Sequence, residues 1–106
     1  MKTLGEVNIC GIAYLVVERS IKEDQGLADA YAYIVHDPPC ILVRSGLSPT
    51  FFRNALMHEV EHGIWEQSGC RQVVAGMKDM DLEEAFIQVT TPHRIAALAS
   101  MKKWRA

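Results

Sequence analysis

The hydrophobic pattern divides the 106-residue chain into two halves of different period. In the first half, short apolar runs rich in β-branched and aromatic residues alternate with turn residues, which is the mark of strands. Val7-Asn8-Ile9 and Ile12-Ala13-Tyr14-Leu15-Val16-Val17 flank Cys10-Gly11 and predict an opening hairpin. Residues 18–29 are polar and charged, with Gly26 as a breaker, so a loop or a short helical turn is expected there and no function is assigned to it. Ala30-Tyr31-Ala32-Tyr33-Ile34-Val35-His36 and Cys40-Ile41-Leu42-Val43-Arg44 then read as a second antiparallel pair around Asp37-Pro38-Pro39. Tyr31 and Tyr33, two residues apart, are expected to share one face of their strand.

In the second half the period lengthens to that of a helix. Ser48 as N-cap and Pro49 at the first helical position, where a missing donor costs nothing, predict a helix over 49–68 that Gly69 ends. Residues 70–79 have no clear period and read as a connection returning over that helix. Asp81, with Glu84 three residues on, matches an acidic form of the capping box. This would turn Glu84 back to the Asp81 amide and leave Glu83 facing inward with Phe86, Ile87 and Val89. Pro92 predicts a break at Thr91, followed by a last helix over 92–103 striped by Ile95, Leu98 and Met101. The pattern is that of an α+β domain spanning 1–106. A small antiparallel or mixed sheet of three or four strands packs on a central helix and one or two C-terminal helices.

Composition narrows the function classes. With 49% hydrophobic and 23% charged residues and a net charge of −2, the chain has no general attraction for nucleic acid or an anionic membrane. No run approaches the ~20 apolar residues of a membrane span, and the N-terminus lacks the apolar core of a secretory signal, so a cytoplasmic location is expected. Cys10, Cys40 and Cys70 form no C-x-x-C pair, which suits reduced thiols. Cys70 is retained only as a remote candidate ligand.

The candidate chemistry lies in the helix over 49–68, at His58-Glu59-Val60-Glu61-His62. Residues four apart on a helix stand one turn above each other, so the two imidazoles can meet at one point with Glu59 beside it. Taken at about 100° per residue, the arc holding Phe51, Phe52, Ala55, Leu56 and Gly63 also takes in Glu59 and His62, with His58 at its edge and Glu61 on the solvated side. Ionisable groups on such a face are costly unless paired or bound to a metal, and zinc meets that requirement. A catalytic zinc takes three protein ligands, so His58 and His62 need a third: Glu83 first, then Glu84, His93 and Glu66. Glu59, adjacent but not coordinating, would serve as general base. Tyr31, Tyr33, His36 and His93 are the donors on hand for a developing oxyanion. Without a metal, the two histidines would instead pack and hydrogen-bond inside the core.

The stretch Asn54-Ala55-Leu56-Met57-His58-Glu59-Val60-Glu61-His62-Gly63-Ile64, preceded by strands and followed about twenty residues on by Glu83-Glu84-Ala85-Phe86, resembles the small zincin metallopeptidases of bacteria and their phages. Among these it is most similar to the ImmA/IrrE type. The resemblance covers about 31–99 and implies a short mixed sheet on the motif helix, a glutamate from the next helix as third zinc ligand, and a peptide laid along the edge strand. On that analogy the edge strand is 40–44. The segment after Glu83 departs from the fuller Glu-x-x-Ala-Asn/Asp-x-Phe-Ala signature, so Glu84 and His93 stay beside Glu83 as ligand candidates. Trp65 stands where metzincins carry a glycine, which disfavours that class.

The leading expectation is therefore zinc-dependent hydrolysis of a peptide bond in a specific protein substrate, for which the resemblance suggests a regulatory protein. The alternative is a zincin-fold module that binds zinc and a protein partner without catalysis, and a third is a structural-zinc or metal-free domain. The substrate and the oligomeric state do not follow from the sequence.

Overall fold

The computed structural model describes residues 1–69 and 79–101, with 79–89 as backbone alone. Four strands, β1 (Lys2–Ile9), β2 (Ile12–Arg19), β3 (Ala32–His36) and β4 (Pro39–Arg44), precede two helices, α1 (Pro49–Gln67) and α2 (Asp79–Met101). The fold is α+β. The β1–β2 hairpin closes on Cys10 and Gly11, both at positive φ, and the Asn8 side chain accepts from the Gly11 amide at 2.9 Å. Two left-handed residues give a turn whose twist matches the strands it joins.

The sheet is mixed, in the order β1-β2-β4-β3. β1 and β2 run antiparallel, β4 lies parallel to β2, and β3 pairs antiparallel with β4 on the outside. The strand 40–44 is thus interior and the edges are β1 and β3, which corrects the edge assigned by analogy. The reason lies in the side chains: Ile41, Leu42 and Val43 are all buried, so β4 is apolar on both faces and has to be covered on both.

One face of the sheet carries Val7, Ile9, Tyr14, Val16, Ile41 and Val43, which form a single core with Leu56, Val60 and Ile64 of α1 and Ala97 of α2. Gly63 is what lets α1 sit this close. A Cβ there would stand 2.8 Å from Ile9 Cδ1 and 3.1 Å from Ile34 Cδ1. On the opposite face the 3-10 turn Gln25–Ala28 buries Leu27 and is tied down by the Tyr33 hydroxyl, which donates to Asp24 at 2.5 Å.

The limits of α1 follow the sequence. The Ser48 hydroxyl accepts from the Phe51 amide at 3.2 Å, Pro49 opens the helix, and Gly69 takes a positive φ just past its end. α2 departs from it in two ways. It is already helical at Asp79, so Asp81 lies inside the helix and the capping-box assignment that separated Glu83 from Glu84 does not hold. It also continues through Pro92 to Met101 with no break at Thr91. A mid-helix proline costs about 3 kcal/mol, and here the buried Thr90 and Ala97 on either side of Pro92 hold α2 to the rest of the fold. Contacts across the fold outweigh the local preference. No helix among the described residues is long and apolar enough to cross a membrane.

Candidate metal centre

His58 and His62 converge as the four-residue spacing requires: their Nε2 atoms are 3.1 Å apart and their rings stand at 83° to each other. Two nitrogens held at ~2.05 Å from one tetrahedral zinc lie about 3.3 Å apart, so little adjustment would seat an ion between them. Both rings are exposed, not packed in the core. This corrects the predicted arc. The axis of the buried face is Val60, with zero exposure, and each histidine is two residues from it, about 160° around the helix. The two histidines therefore carry no burial cost, and the core-histidine alternative does not describe them.

Glu59 is the buried member of the motif. It is 7% exposed, and burial pushes its carboxyl pKa up, while the two imidazoles pull the other way. A carboxylate whose proton affinity is raised, beside two converging nitrogens, has the disposition of a general base.

The histidine pair lies between two cavities. One, of about 420 Å³, is bounded by Tyr31, Phe51, Asn54 and Ala55 together with His58 and Glu59. The other, of about 320 Å³, is bounded by His58, Glu61, His62 and Trp65. Glu61, expected in solvent on the far side, lines this second cavity and pairs with Arg94 of α2 at 2.6 Å. It follows His58 by three residues, which makes the two neighbours on the helix surface.

Among the described residues no third His, Cys, Asp or Glu joins the pair in a group able to hold a metal. His93 is therefore not brought to the pair. The side chains of Glu83 and Glu84, like Cys70, lie outside the described residues.

The oxyanion candidates separate. Tyr33 is committed to Asp24, and His36 Nδ1 lies 2.8 Å from the Tyr14 hydroxyl, which also accepts from Gln67 at 2.8 Å. Tyr31 alone of the four lines a cavity with His58. Phe51 and Arg44 join the site without having been expected there. Phe51 was legible, because it precedes His58 by seven residues and so shares its stripe. Arg44 acts through backbone carbonyls of a distant loop and left no pattern. No family model, curated protein or solved structure matches the chain.

Proposed function

We propose that the chain is a zinc-dependent hydrolase of peptide bonds in a specific protein substrate, with a zincin-like arrangement around α1. The observation that carries this reading is the convergence of two exposed Nε2 atoms to 3.1 Å with the buried Glu59 carboxylate adjacent to them. His58 and His62 would hold the ion, with Nδ1 of each carrying its hydrogen so that both Nε2 lone pairs face the same point. The third ligand is sought on α2, with Glu83 the first position to test and Glu84 after it.

When bound there, zinc supplies Lewis acidity and brings the pKa of a bound water towards 7. Glu59 accepts a proton as water attacks the peptide carbonyl, and returns it to the departing amine as the C–N bond breaks. Tyr31, on the rim shared with His58, offers a hydroxyl for the developing oxyanion. β3 has a partner on one side only, so an extended peptide can add to its outer edge by strand pairing.

The test joins metal content to proteolysis. Purified protein is measured for zinc by mass spectrometry, then incubated with a proteome-derived peptide library whose new N-termini are sequenced. About one zinc per chain and a consistent cleavage sequence are expected. Glu59→Gln should keep the metal and lose the cleavage. Zinc retention with no cleavage by either protein would move the assignment to a zinc-binding interaction module, and absence of zinc from the wild type would end both readings. Metal content of Glu83→Ala and Glu84→Ala identifies the third ligand.

A further inference from the structure

The larger cavity beside Glu59 has an unusual outer wall. Two aromatic side chains stand there outside the core, Tyr31 at 50% and Phe51 at 57% exposure, their ring centres 5.9 Å apart and tilted by 40°. Tyr31 belongs to no strand or helix, so its position needs an external support. Arg44, at the end of β4, supplies it. Its Nε donates to the Leu27 carbonyl at 2.8 Å, and its Nη2 to those of Ala28 at 3.2 Å and Ala30 at 3.4 Å. Its amide donates to the Tyr31 carbonyl at 2.8 Å, and its guanidinium lies 4.8 Å from the centre of the Tyr31 ring. A rigid fork can serve several carbonyls while its flat face meets a ring, which a lysine cannot do.

We propose that Arg44 is a positioning residue that builds a substrate subsite: by fixing the loop over 27–31 it sets Tyr31 beside Phe51 as the wall of a cavity for one bulky apolar side chain. The inference rests on the peptide-substrate reading of the adjoining metal centre and narrows its substrate class to peptides with a large apolar residue next to the cleaved bond. Three features select this occupant. The cavity, at about 420 Å³, is near the small end of ligand sites and has room for one large side chain with its backbone. Its walls carry no ionisable group except Glu59, His58 and the Tyr31 phenol, and two exposed aromatic faces gain by covering apolar surface. Ala32, the first residue of the edge strand β3, is also among its lining residues, so a peptide paired with that strand would run beside it.

The test uses metal-free, full-length protein and reads binding by amide chemical shifts, so it needs neither zinc nor turnover. The probes are acetyl-Ala-Phe-Ala-amide and acetyl-Ala-Gly-Ala-amide. The Phe peptide is expected to bind about ten-fold more tightly, the scale of burying a large apolar side chain, with its largest shifts at Ala32, Asn54 and Ala55. Arg44→Lys should reduce that preference by about three-fold or more, because the loop loses its fork. Phe51→Ala, at a position 57% exposed, should reduce it likewise. Equal binding of the two peptides, shifts centred elsewhere, or an unchanged preference in both variants would overturn the inference. If the preference holds but the library yields no cleavage, the subsite stands and only the hydrolase reading falls. Cleavage without preference for large apolar residues does the reverse, keeping the hydrolase and removing the subsite.

Discussion

The two faces of α1 are built on opposite principles. The face centred on Val60 is closed by shape: Leu56, Val60 and Ile64 fill the space under the sheet, and Gly63 is a glycine because Ile9 and Ile34 occupy the room a methyl would need. The face about 160° away carries His58 and His62, exposed and aimed at each other. Glu59 lies between the two and bears the burial of one with the charge of the other. On the proposed reading, the difference separates stability from metal binding within one nineteen-residue helix. Substitutions on the first face should change folding and spare the metal; those on the second should do the reverse.

The largest effect is expected on the histidine face. His58→Ala should lower zinc affinity by more than about 100-fold, since even residues that only orient a ligand are worth 10–100-fold. The melting temperature of the metal-free protein should barely change, because the ring is exposed. Zinc titration alongside thermal denaturation in chelator checks both halves. A large loss of metal-free stability would mean that the two faces are not independent.

Ile64→Ala should give the opposite result. With zero exposure in the core, it should cost about 2–5 kcal/mol in denaturant unfolding, while folded protein keeps its zinc affinity. Gly63→Ala is a smaller version of the same test. Overpacking costs about 1–3 kcal/mol, against a gain of about 1 kcal/mol from replacing glycine in a helix, so a net loss near 1 kcal/mol is expected. Trimming the obstacle in Gly63→Ala/Ile9→Val should recover part of it. A stabilised Gly63→Ala would show that α1 sits further from the sheet.

The smallest effect sharpens the boundary between the faces. Burial raises the folded-state pKa of Glu59 above its unfolded value, so its protonated form is the one the fold favours. Its contribution to the stability of metal-free protein is complete below the unfolded pKa, near 4.5, and is lost as pH rises through the folded pKa. Glu59→Gln should therefore melt slightly higher than wild type at neutral pH in chelator, and the gap should close on acidification. A gap that widened towards low pH would reverse the assignment of burial as the dominant influence on this carboxyl.

Much of this protein is legible in its local chemistry. Ser48, Pro49 and Gly69 delimit α1 because capping and backbone freedom act within a few residues, and Cys10-Gly11 sets the first hairpin for the same reason. The four-residue spacing alone brings the two imidazoles together, since a helix has one pitch. Other features depended on partners far along the chain. β4 went inside the sheet because its apolar run needs cover on both faces, a signal present in Ile41-Leu42-Val43 but overridden by analogy. The rotation of α1 followed the fit of Gly63 against Ile9 and Ile34, which no periodicity reveals. α2 ran through Pro92 because its packing outweighs one lost hydrogen bond, and Arg44 found its carbonyls only once the sheet was assembled. The sequence by itself determined where α1 begins and ends and which of its residues share a turn, because those energies are short-ranged. The tertiary structure decided which face is buried and what stands beside the histidines, because those depend on surfaces that meet only when the chain is folded.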